Sequence, residues 1–406
     1  MIKLLHKLAE SNLTPAKAAL GVLLYKPVLW FQKNNYRYVR KQNNAVYSGF
    51  FNAFFRPNHS AIMTLLVPSE IFAALGIRPL MIESLGGVLG SLGMTNRFLH
   101  AVSQAGLPES LCTFHKMHLA FALEGGVASP RFAVAASALC DGNLRAIQHF
   151  TEMTDTSFYF LDFPAPEQAG AVSYLARQIE TCYMGMASEL GVRRPLDKLK
   201  RAVVLSEEAR KRLLEINDLR KSRYLPGVND LVWLIALIAT SMGTKTAISV
   251  LKTLKKELLS KGKPIPSDKK RLLLMHLLPL YNHPVFEKVF KQNVIIAMEE
   301  YTHITWPELD WNYPFESIAK RAVSWPIMAS AETRVNHLNQ LIEEYGIDGV
   351  IFSSHWGCRQ ADGPIHAIQG RLNKPFLRIE TDLVDSNSSF AGQLSTRIEG
   401  FLEMLD

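Results

Sequence analysis

Four cysteines in 406 residues, none of them in a Cys-x-x-Cys pair, exclude a compact zinc signature. Long apolar runs are also missing. The most apolar stretch, Leu231–Ala239 (LVWLIALIA), is far shorter than the roughly 20 residues that cross a bilayer, and it reads as a buried helix. The N-terminus, MIKLLHKLAE, has neither the continuous apolar stretch nor the small-residue cleavage site of an export signal. No stretch has the polar composition of a disordered tail, and no short-period repeat occurs. The glycines of Glu83–Gly93 (ESLGGVLGSLG) are not followed by Gly-Lys-Ser/Thr, so they do not form a phosphate loop and ATP binding by this chain is not expected. That segment reads as a flexible loop on the substrate side. Few cysteines and no export signal place the expected location in a reducing cytoplasm, where thiols are buried, catalytic or metal-binding rather than paired.

Hydrophobic residues make up 48% of the chain and charged residues 20%, enough for two domains with additional helical material. The formal net charge is +8 and the pI about 9.2. Such a balance suits nucleic acid, an anionic membrane or a polyanionic small molecule such as a coenzyme A ester. The basic stretch Arg193–Arg223 has helical apolar spacing and reads as a solvated helix face.

Two stretches alternate short β-rich runs with amphipathic helical runs, the pattern of parallel α/β sheets. In the first, residues 61–190, strands are expected at Ile62–Val67, Pro79–Glu83, Arg131–Leu139 and Ser157–Phe163, with helices after Pro68, from Asn143 and over Pro166–Leu190. In the second, residues 270–406, strands are expected at Leu272–Leu278, Val294–Met298, Gly349–Ser353 and Pro375–Glu380, with helices over Ala331–Tyr345, Asp362–Arg371 and Ser389–Leu405. The expected fold class is therefore α/β, with two parallel-sheet, flavodoxin-like lobes. Residues 1–60 read as an N-terminal helical arm, and residues 191–269 as an interdomain helical segment ending in the linker Lys261–Asp268 (KGKPIPSD).

In open α/β sheets, ligands collect beyond the carboxyl ends of the strands. Cys140 follows the third expected strand, in ALCDGN. Cys358 follows the seventh, in SSHWGCRQ. Cys112, in SLCTFHK, follows the loop Gly106–Glu109. Spacing alone leaves two readings open: three core cysteines used as small hydrophobes, or three thiolates from two lobes that converge on the cleft. Polar neighbours support the second, namely His115 and Lys116, Asp141, and His355 with Arg359, because such groups stabilise a thiolate. Cys182 lies in the helical run RQIETCYMGMASEL without such neighbours and reads as a packing residue.

These three cysteine segments, together with PSEIFAALGIRPL, LDFPAP and RIETDLVD…QLSTRIEGFLEML, resemble the cluster-bearing subunits of the 2-hydroxyacyl-CoA dehydratases, benzoyl-CoA reductases and double-cubane-cluster proteins. The resemblance runs from about Ala61 to the C-terminus. It implies a [4Fe–4S] cluster, or half of a double-cubane [8Fe–9S] cluster, held by Cys112, Cys140 and Cys358 with one iron position left open. It implies a homodimer or a heterodimer with a related subunit, an acyl-CoA substrate, and a separate iron–sulfur ATPase as electron donor. It further implies dehydration through a substrate ketyl radical anion, or reduction. Nucleic acid and membrane are not among the implied partners. A homodimeric reductase acting on small molecules without coenzyme A, an electron-relay subunit and a zinc-stabilised binding protein are the other readings.

Glu70 matches the acidic residue of the family's Pro-x-Glu segment and is a candidate proton carrier; its other reading is a first-turn glutamate favoured by the helix N-terminus. His355 and His115 each lie three residues from a cysteine, placed either to donate to cluster sulfur or substrate or to hold loop backbone. Ser353 and Ser354, a few residues before Cys358, are candidates to approach the open iron position that the resemblance implies. Trp306, Trp311 and Tyr313 form an aromatic loop that either covers the cleft or packs locally.

Overall fold

The computed structural model describes residues 2–10, 13–31, 36–126, 129–228, 231, 233–281, 283, 285–286, 294–387 and 391–405. Two four-stranded parallel sheets organise them. The first contains β1 (Ser60–Met63), β2 (Arg78–Met81), β3 (Phe132–Ala136) and β4 (Ser157–Leu161) in the order β2-β1-β3-β4. A short antiparallel ribbon pairs β5 (Arg223–Tyr224) with β6 (Lys263–Pro264). The second sheet contains β7 (Lys270–Met275), β8 (Val294–Glu299), β9 (Gly349–His355) and β10 (Phe376–Thr381) in the order β10-β9-β7-β8.

Read in chain order within each lobe, both sheets have the order second-first-third-fourth. This is the start of the flavodoxin-type winding, whose switch point lies between the first and third strands. The central strands β1, β3, β7 and β9 are apolar and buried on both faces, as parallel strands covered by helices on each side must be.

Each expected strand is present, shortened, lengthened or shifted by a few residues at its ends. Three features differ more. Glu83–Gly93 is not a loop: the helix Ile82–Ser91 begins one residue after β2. Its glycines make close packing possible, since a Cβ would stand 3.0 Å from the Phe114 ring at Gly86, 2.9 Å from Leu280 at Gly87 and 3.0 Å from the Val384 carbonyl at Gly90. The expected helix Asp362–Arg371 is two short ones, Arg359–Asp362 and Ile365–Gln369, because Pro364 has no amide to continue the first. The expected linker contributes β6 to the ribbon. Ser389, the expected start of the last helix, lies outside the described residues; the helix is described over Ala391–Glu403.

The basic stretch is the 26-residue helix Pro195–Arg220, and its inner face is structural rather than merely solvated. Ser206 Oγ donates to Glu70 in the first lobe at 2.7 Å, and Arg220 pairs with Glu299 at the end of β8 at 2.8 Å. The helix thus ties both lobes through buried polar groups. The apolar run at 231–239 forms the buried helix Leu234–Ser241, as expected.

Candidate active site

Each cavity cysteine sits at the residue that caps the N-terminus of a helix. Cys112 precedes Thr113–Leu123, Cys140 precedes Asp141–Glu152 and Cys358 precedes Arg359–Asp362. Cys140 and Cys358 leave the third strand of their respective sheets, so the same topological position in each lobe delivers one thiol. Cys112 comes from the helical insertion between β2 and β3. All three line one cavity of about 130 Å³, near the ~150 Å³ of an engineered cavity that accepts benzene.

Two glycines let the loops close on one another. A Cβ at Gly357 would stand 2.8 Å from the Cys112 amide nitrogen, so the loop carrying Cys358 lies directly against Cys112. A Cβ at Gly142 would lie 2.7 Å from His115 Nε2. Gly357 also has φ +80°, a left-handed conformation that suits glycine.

Histidines touch two of the sulfurs. His355 Nε2 is 3.1 Å from Cys112 Sγ, and His115 Nε2 is 3.4 Å from Cys140 Sγ. The Leu383 amide donates to His355 Nδ1 at 3.0 Å, so in the neutral ring the proton sits on Nε2, pointing at the sulfur. Burial, with His115 and Lys116 nearby, lowers the His355 pKa to about 3 and keeps the ring neutral. Burial likewise lowers that of His115 to about 4.

Burial raises all three thiols above their ordinary range, Cys358 to about 11; neighbouring cysteines add to the effect at Cys112 and Cys358, and Glu83 and Asp141 add to it at Cys140. The first-turn amides of each following helix act in the opposite direction. A metal binding here therefore displaces protons, and the amides are ready to stabilise the resulting thiolates. Cys182 differs: it is 2% exposed inside the helix Ala171–Glu189, within the hydrophobic core.

Glu70 is not brought to this cavity. It is fully buried, pairs with Arg321 at 2.8 Å and accepts from Ser206. Of its two readings, proton carrier or first-turn glutamate, the placement matches the second: Glu70 opens the helix Glu70–Leu75 and joins the first lobe to the long helix and to the helix Pro314–Val323. Trp306 packs on Trp325 and under Arg321, while Trp311 and Tyr313 are exposed; none of the three lines the cavity. Ser353 Oγ stands 3.2 Å from Thr381 Oγ1, and Ser354 Oγ donates to Asp362.

Four residues not singled out in the sequence do line it. Glu83 accepts from the Asn143 amide at 2.6 Å and from the Leu65 amide, while its Oε2 is buried without a partner. Desolvation outweighs those hydrogen bonds and raises its pKa to about 7. His276 follows β7 with φ +66° and donates from Nδ1 to the Ser353 carbonyl at 2.9 Å, which leaves Nε2 as the lone-pair nitrogen of the neutral ring. Tyr301 and Arg334 complete the set; Arg334 makes a bidentate pair with Glu300 at 2.6 and 2.9 Å. The carboxyl-end rule, applied to every strand rather than to cysteines alone, points to Glu83 after β2, His276 after β7 and Glu300 after β8.

Among the described residues, no three His, Cys, Asp or Glu side chains are grouped so as to hold a single metal ion. The three thiols share a cavity without converging on one point. No helix is long and apolar enough to cross a membrane among the described residues.

Among curated proteins, the candidate dehydratase subunit YjiM of Escherichia coli (strain K12) is 34% identical over 88 residues, which are 21% of this chain and 22% of that protein. The alignment thus spans about a fifth of YjiM. The family model described as 2-hydroxyglutaryl-CoA dehydratase, D-component, matches residues 64–405. That span takes in the whole second sheet, nearly all of the first lobe and every cavity cysteine, and the chain belongs to this dehydratase family.

Proposed function

We propose that this chain is the cluster-bearing subunit of a 2-hydroxyacyl-CoA dehydratase, with Cys112, Cys140 and Cys358 as the protein ligands of a [4Fe–4S] cluster. The observation that supports this reading most is the meeting of three thiols from both lobes in one cavity. A cluster fits that donor set better than a single ion, because each thiolate then binds a different iron and the sulfurs need not converge. When bound, the cluster supplies low-potential electron transfer and Lewis-acid polarisation of a substrate oxygen at the iron without a cysteine.

The chain's own residues do the rest. His355 Nε2–H donates to the Cys112 sulfur, which stabilises negative charge there and tunes the potential. Glu83, with its pKa raised to about 7 and its Oε2 unpartnered, carries a proton in about half of the molecules at neutral pH and can pass it to a departing hydroxyl. Apolar walls from Leu65, Trp233 and Ile327 exclude water and receive an acyl chain. Glu70 has no catalytic part in this reading, because both carboxylate oxygens are engaged elsewhere. Electrons come from a separate ATP-dependent iron–sulfur activator, and a related subunit completes the dimer.

Anaerobic purification with iron and sulfide analysis tests the reading. We expect a brown protein with about four irons per chain. Cys112→Ser, Cys140→Ser and Cys358→Ser should each lose most of that iron, while Cys182→Ser should keep it. A colourless protein carrying zinc, or equal loss at Cys182, overturns the proposal. Dehydration of 2-hydroxyacyl-CoA thioesters with activator and ATP, against reduction of an aromatic acyl-CoA, then identifies the reaction.

A further inference from the structure

The family match begins at residue 64, so the N-terminal arm lies outside it and needs its own account. The arm is chemically unlike the rest of the chain. Residues 1–60 contain nine of the 45 Lys and Arg but only one of the 37 Asp and Glu, Glu10. The arm alone therefore carries a formal +8, and residues 61–406 are neutral overall.

Its second helix, Pro15–Phe31, is apolar on every side: only Lys17 and Lys26 are charged among 17 residues. A helix of that kind is normally buried all round. Here only one face is. Ala18, Val22 and Val28 are buried, Val22 against Tyr47 and Phe50 of the arm's own helix Arg37–Phe55 and against Leu80 of the first lobe. On the opposite face Leu20 and Leu23 are 44% and 45% exposed, three residues apart and therefore neighbours on the surface. The preceding helix, Ile2–Glu10, adds exposed Ile2 and Leu4 beside exposed Lys3 and Lys7.

We propose that this outer face docks on an anionic lipid bilayer. Leu20, Leu23, Ile2 and Leu4 enter the headgroup boundary, and the surrounding lysines meet lipid phosphates. Interfacial binding needs two signals, apolar insertion and positive charge, and the arm combines them. Nucleic acid fits less well, because the large side chains exposed on these two helices, among those described, are aliphatic and offer no aromatic platform for a base. The family resemblance implies no membrane partner, and no apolar run is long enough to span a bilayer. A helix about 25 Å long lying flat needs no such run. Docking there would leave the cavity cysteines, on the far side of the helix Ile82–Ser91 from the arm, free for other partners.

Flotation of the full-length protein with vesicles tests this. Binding is expected to vesicles of phosphatidylcholine with phosphatidylglycerol, not to phosphatidylcholine alone, and should fall steeply with salt. Each lysine near the surface contributes about fivefold, so K3Q/K7Q/K26Q should weaken binding about a hundredfold. L20Q/L23Q, at exposed positions, should weaken it roughly tenfold or more while the circular dichroism spectrum is unchanged. Equal behaviour towards both vesicle types overturns the proposal, as does anionic binding that survives L20Q/L23Q. Retention on a DNA fragment without vesicle binding also overturns it. So does self-association lost in L20Q/L23Q without vesicle binding, which would assign the face to a second copy of the chain.

Discussion

Glu83 and Glu300 stand just past the second strand of the same topology in two lobes, and their surroundings differ in one respect. Glu300 has a cation, Arg334, in a buried bidentate pair. Glu83 has none among the described residues; it takes hydrogen bonds from two amides and keeps one oxygen unpartnered. A buried carboxylate that is paired stays charged and structural, whereas one without a countercharge holds its proton to higher pH. The winding provides one acidic position twice, and the neighbouring cation decides whether that position is a strut or a proton store. Thiols follow a similar division. Each third strand delivers one, and the insertion between β2 and β3 adds the third, so the first lobe supplies two and the second supplies one.

Removing the cation from the second lobe should break the contrast most severely. Arg334→Met leaves Glu300 buried and unpaired, and we expect a loss of about 3–5 kcal/mol in urea unfolding at neutral pH. A loss below about 1 kcal/mol would mean that Glu300 does not depend on its partner.

The first lobe gives a smaller and pH-dependent effect. The Glu83 pKa rises from 4.5 unfolded to about 7 folded, so the native state holds more protons between those values. Its contribution is full below pH 4.5 and is lost as the pH rises through about 7, up to about 3 kcal/mol. Glu83→Gln should flatten that slope in urea titrations of the metal-free protein and leave the Arg334 effect untouched. An unchanged slope would remove the proton store.

A third test carries the opposite sign. His303 and His337 lie with ring centroids 5.2 Å apart in the second lobe. Burial lowers His303 from 6.5 to about 3, and the neighbouring His337 adds to this. The unfolded chain therefore takes up the proton first, and stability is lost as pH falls from about 6.5 towards 3. Over the first pH unit of that fall, from 6.5 to about 5.5, His303→Gln should reduce the loss by about 1 kcal/mol, read from thermal or urea unfolding at matched pH.

The lobes were legible because buried parallel strands are short apolar runs bounded by turns, and GVIFS or RFAVAASAL can be little else. Cys140 and Cys358 were legible as cleft-side positions because they follow such strands; Cys112, in the insertion between β2 and β3, had no such marker. Glu83 was not: ESLGG reads as a loop when its glycines are counted as breakers, yet each one only removes a Cβ where Phe114, Leu280 or Val384 closes on the helix. Glu70 was half legible. Its segment was recognisable, but its partner Arg321 is 251 residues away and no local pattern announces it.

Local chemistry along the chain was enough to specify two parallel sheets, the helices that cover them, a thiol after each third strand and an N-terminal helical arm. Those features follow from periodicity, turn residues and composition, which act over a few neighbours. Which groups share a cavity, which carboxylate meets a guanidinium and which nitrogen of His355 faces sulfur depend on contacts between residues hundreds apart. Desolvation and hydrogen bonding set protonation and role there, and both exist only once the lobes have packed together.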